Sequence, residues 1–129
     1  MTAAPITTTG VGAPSRSVVV CTLDDLHPDR GVAALVDGTQ VALFLLADTG
    51  EVFAVSHRDP FTGSNVIARG LVGSRGDAPT VASPLHKQVF DLRTGVCLDD
   101  PAVALGTWPV EVVGRDVRLV LPRDLGETG

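Results

Sequence analysis

An all-β domain is the fold this sequence predicts, a small antiparallel sandwich or barrel, and three observations predict it. Short runs of Val, Leu and Ala alternate with turn residues along most of the chain. The dipeptide Asp37-Gly38 stands between two such runs, the pairing that a two-residue type I′ hairpin requires. No window carries the 3.6-residue apolar periodicity of a long amphipathic helix.

The elements follow in order. Residues 1–16 hold Thr, Ala, Gly and Pro without apolar periodicity and read as a tail. "SVVVC" is a strand. "TLDDL" makes one helical turn, with Thr22 as its cap and Asp25 three residues on, and Pro28 and Gly31 end it. "GVAALV" and "TQVALFLL" flank Asp37-Gly38 as the first hairpin. "VALFLL", the turn "ADTG" and "EVFAVS" make the second. Residues 57–80 change character, with four glycines and two prolines, and read as a long excursion out of the sheet. Excursions of that length in small domains are usually functional or mobile. "TVAS" and "QVFDL" are brief strands on either side of "PLHK", then "RTG" turns the chain and "VCL" pairs back. "TWPVEVV", "GRD" and "VRLVL" form a closing hairpin. Pro109 suits a strand edge or entry, and Trp108 before it is expected in the core. Residues 122–129 form a second tail, which leaves 17–121 as the folded domain.

Composition bounds the function. The chain has 129 residues, enough for one domain, and 44% of them are hydrophobic, as a packed core demands. Aromatics are 4%, with no Tyr and one Trp, so the core is aliphatic and stacking surfaces are few. Net charge is −5 and Lys87 is the sole lysine, which argues against duplex nucleic acid as a partner. Cys21 and Cys97 form no CxxC pair and read as small apolar residues, with a disulfide as the alternative. The first residues lack the basic and apolar regions of a signal peptide, and no apolar run is long enough to span a bilayer. A cytoplasmic protein is the expectation. No GxGxxG or P-loop motif is present.

Two loops carry the functional question: "SHRDPFTG" (56–63) and "SPLHKQ" (83–88). Each joins two strands and holds a His and a Pro. Their layout resembles a Rieske domain, where two loops clamp a [2Fe–2S] cluster with motifs C-P-H-x-G and C-P-x-H-G. Here "DPFTG" puts Asp59 at the cysteine position and Phe61 at the histidine position. "SPLHK" puts Ser83 at the cysteine position, keeps His86, and has Lys87 in place of the usual glycine. Pro60, Gly63 and Pro84 match the scaffold. Such a cluster takes two thiolates on one iron and two imidazoles on the other. One imidazole and no thiolate stand at these positions, so the protein is expected to be colourless.

The strings "RDPFTG", "ARGLVGSRGD", "VASPLHKQVFDLRTG" and "CLDDP" together resemble the small subunit of the bacterial assimilatory NADH-dependent nitrite reductase, a Rieske-like family without the cluster ligands. The resemblance implies a large-subunit partner that carries FAD, an iron–sulfur cluster and sirohaem and reduces nitrite to ammonium. It implies no cofactor and no catalytic residue in this chain. The expected docking surface is the loop end, with Arg58, Phe61, Leu85, His86 and Lys87. Phe61 and Leu85 either centre that surface or turn inward to fill the cluster space. A polar network of Arg58, Asp59 and His86 is expected to join the loops. Two other functions are weighed. An electron-transferring Rieske ferredoxin lacks three of its four ligands. A free-standing small-molecule or metal-binding module would use Arg58, Asp59, Ser83 and His86 as polar lining.

Overall fold

The computed structural model describes residues 15–85 and 87–122; the rest of the two expected tails, and His86, lie outside the described residues. Three antiparallel sheets are present among them. The first runs β1 (Ser15–Thr22), β10 (Asp116–Pro122), β9 (Val110–Val113). The second runs β2 (Gly31–Val36), β3 (Thr39–Leu45), β4 (Val52–Ser56), β8 (Thr107–Trp108). The third runs β5 (Leu71–Arg75), β6 (Ala78–Ala82), β7 (Val89–Asp91). No helix among the described residues is long and apolar enough to cross a membrane.

The second sheet is the middle layer, and the two-residue period of β3 shows why. Successive side chains of a strand point to opposite faces. Val41 and Leu43 enter one core with Ala54, Val117, Leu119 and Leu121, which the first sheet covers. Ala42 and Phe44 enter another with Val55, Ile67, Val81 and Phe90, which the third sheet covers. Both faces of β3 are therefore buried, and "VALF" is an unbroken apolar run. Each large side chain so buried contributes about 1.5–3 kcal/mol before the cost of ordering the chain. The two cysteines are free: Cys97 lies in one core and Cys21 packs beside the other.

Local chemistry sets most turns. Asp37 and Gly38 have φ of 50° and 82°, as a type I′ turn requires, and they pair Val36 with Thr39. The Asp25 carboxylate accepts from the Thr22 backbone N–H at 2.9 Å and holds the 3₁₀ turn Leu23–Asp25.

"VCL" pairs back on β7 as expected, through the bridge Phe90↔Cys97, with Asp91 N–H donating to the Val96 carbonyl (2.9 Å) and Leu98 N–H to the Val89 carbonyl (2.7 Å). Three expectations need correction. Residues 57–80 are not wholly outside the sheets, because β5 and the start of β6 form a hairpin there, closed at Gly76 with φ 62°. Gly73, Ser74 and Pro79 interrupt the apolar alternation that would have marked it. Trp108 is half-buried, packed against the first-sheet core and not within it. "TWPVEVV" divides at Pro109: β8 pairs with β4, whereas β9 pairs with β10. Proline has no N–H to continue a ladder, so the chain changes sheets there.

Candidate loop-end site

β4 runs out into the loop of residues 57–64, and β6 runs out into the loop of residues 83–88. The two loops are built alike. In the first, Asp59 N–H donates to the Ser64 carbonyl (2.8 Å), Gly63 N–H donates to the Asp59 carbonyl (2.7 Å), and Asp59 Oδ1 accepts from Phe61 N–H (2.8 Å). In the second, Ser83 N–H donates to the Gln88 carbonyl (2.9 Å), Lys87 N–H donates to the Ser83 carbonyl (2.9 Å), and Ser83 Oγ accepts from Leu85 N–H (3.3 Å). Asp and Ser are residue types that cap a turn through the N–H two positions on. Both loops close through a residue of positive φ, Gly63 at 79° and Lys87 at 61°. Lys87 thus adopts the left-handed backbone of the glycine it replaces.

The capping side chains also meet each other. Ser83 Oγ donates to Asp59 Oδ2 at 2.5 Å, and the two residues are 1% and 0% exposed. A buried carboxyl needs partners for its oxygens, and here each oxygen has one: its own loop's N–H on Oδ1 and the other loop's hydroxyl on Oδ2. The cross-loop network therefore runs from Asp59 to Ser83. Arg58 was expected in it, but it is exposed, and its backbone N–H donates to Ser56 Oγ; no ion pair with Asp59 occurs among the described residues. His86, the third expected member, lies outside the described residues.

Phe61 is 37% exposed and its ring stands 6.2 Å from that of buried Phe90, tilted by 47°. That is an edge-tilted aromatic contact, so one side of the ring rests on the core and the other faces out. Leu85 is 49% exposed, and Lys87 is exposed. Leu71, which sequence reasoning passed over, is 76% exposed and lies at the head of β5, paired with Ala82 directly before the second loop. Its signal was only an isolated Leu after Gly70.

His57 is buried at the base of the first loop. Its Nδ1 accepts from Ala68 N–H at 3.1 Å, and its carbonyl accepts from Ile67 N–H at 3.0 Å. Since a backbone N–H can only donate, the ring is neutral, with its proton on Nε2. Burial, then the nearby Arg69 cation, holds its pKa below the usual histidine range. His57 thereby fastens the 3₁₀ turn Ile67–Arg69 to the end of β4.

The donor set at the loop end does not fit a [2Fe–2S] cluster. The positions that would supply sulfur hold a carboxyl and a hydroxyl bonded to each other, and one imidazole position holds a phenyl ring packed on Phe90. Cys97 is buried in a hydrophobic core. Among the described residues no three His, Cys, Asp or Glu side chains converge as metal ligands.

Comparison with known proteins agrees on the scaffold. The model of the Rieske-like [2Fe-2S] domain matches residues 17–120. The chain is 39% identical over 100 residues to the small subunit of nitrite reductase (NADH) of Escherichia coli K12, covering 78% of this chain and 93% of that one. It is 39% identical over 100 residues to the large subunit of nitrite reductase [NAD(P)H] of Klebsiella oxytoca, 77% of this chain but 10% of that longer one. The solution structure of the Erwinia carotovora nitrite reductase [NAD(P)H] small subunit superposes with a TM-score of 0.70 at 40% identity, over 80% of this chain and 79% of that one.

Proposed function

Because the chain belongs to the Rieske-like domain family and, within it, to the small subunits of NADH-dependent nitrite reductase, we propose that it serves reduction of nitrite to ammonium by docking its loop end on the large subunit. In this reading it works in the cytoplasm, in nitrate assimilation, without a cofactor of its own, and the redox groups belong to the large subunit. The observation that carries it is the Asp59–Ser83 bond. Two loops that elsewhere grip iron are here braced by a buried hydrogen bond, so their outer surface keeps a defined shape with protein alone. The similarity of this domain to one tenth of a large subunit in Klebsiella supports the same pairing.

The docking surface comprises Arg58, Phe61, Leu85, His86 and Lys87, to which Leu71 is added. An apolar centre with a charged rim, Arg among it, is the usual composition of a modest interface. Leu71→Asp and Leu85→Asp should each weaken association with the purified large subunit at least tenfold and leave the unfolding midpoint of the free domain unchanged, since both side chains are already largely in water. Full-strength association by the folded double variant rejects the loop end as the contact. Failure of the domain to co-purify with the large subunit from nitrate-grown cells rejects the partnership itself.

A further inference from the structure

Charge is unevenly placed along the same strands that carry the loops. The chain is acidic, with 15 Asp and Glu against 10 Lys and Arg. Yet from Val52 to Gly76 and from Ala78 to Phe90 the only acid is Asp59, which is fully buried and hydrogen-bonded. The same stretches hold Arg58, Arg69, Arg75 and Lys87. One acid from outside these stretches reaches the second loop: Asp99 accepts from Val89 N–H at 2.9 Å, and its other oxygen is paired with Arg75 at 3.8 Å. Arg58, Arg69 and Lys87 are exposed and have no acidic partner among the described residues.

The strands make this a polarity of the molecule. β4 begins at the turn holding Asp48 and Glu51 and ends in the loop of Arg58. β6 begins directly after Asp77 and ends in the loop of Lys87. Asp48, Glu51 and Asp77, with Asp29, line one open cleft at that far end, where Arg93 is the single cation. A strand of five residues spans roughly 17 Å, about two Debye lengths at physiological salt, so the two ends act as separate fields. Lys87 adds a second sign. It is the only lysine, and it sits at φ 61°, where a non-glycine residue carries backbone strain.

We propose that the loop end is the cationic pole of an acidic domain and that the surface receiving it on the large subunit is acidic, with Arg58, Arg69 and Lys87 steering the encounter. The proposal rests on the loop-end docking read above and adds the chemistry of the partner face. Opposite charges raise association rates and suppress wrong orientations. The acidic far end would be repelled by the same patch, so only one orientation leads to a complex.

The test measures association of the separately purified subunits as a function of salt and charge. Raising NaCl from about 50 to about 300 mM should slow association of the native chain at least tenfold while dissociation changes little. Lys87→Glu and Arg58→Glu should each slow association about tenfold, and Arg30→Glu, a cation outside the loop end, should not. Salt-independent association, with both reversals silent and Leu85→Asp still disruptive, overturns the acidic partner face and leaves loop-end docking standing. Silence of Leu85→Asp as well overturns the docking itself.

Discussion

The hydrogen bonds that close the loops at Asp59 and Ser83 recur in a third loop, residues 91–96, that has no part in the site. Asp91 N–H donates to the Val96 carbonyl, Gly95 N–H to the Asp91 carbonyl, Asp91 Oδ1 accepts from Arg93 N–H, and Gly95 has φ 80°. Asp59, Ser83 and Asp91 are thus three copies of one cap. They differ in what the capping side chain meets beyond its own loop. Asp91 is half-buried and serves its own loop, whereas Asp59 and Ser83 are sealed from water against each other. Loop shape here is an ordinary hairpin property, set by a capping side chain and a left-handed closing residue, and it asks for no metal. What distinguishes the site is the pairing of two such caps.

The closing residues separate the loops most sharply. A Cβ on Gly95 would lie 2.2 Å from the Leu105 carbonyl oxygen, whereas one on Gly63 would meet only the flexible end of Arg58 at 3.4 Å. Gly95→Ala should cost about 3 kcal/mol or more, from strain and a backbone clash, and Gly63→Ala about 1 kcal/mol from strain alone. Urea midpoints of the two variants measure the contrast, and equal losses would undo it.

The paired caps should matter more than the solitary one. Asp59→Ala removes an acceptor of two hydrogen bonds and leaves the buried Ser83 O–H and the Phe61 N–H without their acceptor, at about 3 kcal/mol. Asp91→Ala should cost about 1 kcal/mol. Burial makes Asp59 costlier to remove than a member of an exposed network would be. Adding Ser83→Ala to Asp59→Ala should cost less than the sum of the two single changes, because the same bond is lost in both. Strict additivity would mean the cross-loop bond contributes nothing.

A buried histidine anchors the first loop. Above the ordinary histidine pKa, His57 is neutral folded and unfolded and contributes no pH dependence. As pH falls below about 6.5, the unfolded chain takes up a proton that folded His57 resists, so stability should fall until pH passes the depressed folded pKa and then level off. His57→Gln should remove that slope. The protection factor of the Ala68 amide should fall over the same range, and that of the Lys87 amide should not.

The smallest effect expected is a gain. Lys87 pays a left-handed backbone that Gly63 and Gly95 adopt freely, so Lys87→Gly should stabilise the free domain by about 0.5–1 kcal/mol even as it weakens association with the large subunit. A loss of stability would show that the lysine stem packs favourably on its loop.

Local pairings were legible because a few adjacent residues decide them. Asp37-Gly38 specifies its turn, and Thr22 and Asp25 their cap, each through backbone angles or a side-chain bond within that stretch, whereas the change of sheet at Pro109 followed only from which strands β8 and β9 pair with. The substitutions Asp59, Phe61 and Ser83 were likewise visible as a ligand set that holds no thiolate. The hairpin of β5 and β6 was hidden, since its side chains carry little alternation and its stability comes from Val81 packing against Val55 of β4 and from the pairing of β6 with β7. The bond from Ser83 to Asp59 could not be read at all: the residues are 24 positions apart, and only the stacking of two sheets brings their loops within hydrogen-bonding distance. The same packing sets which side of Phe61 is covered, turns His57 inward, and gathers Arg58, Arg69 and Lys87 at one end. Turn chemistry is short-ranged and written in neighbouring residues, whereas burial and long-range pairing exist only once the sheets have excluded water.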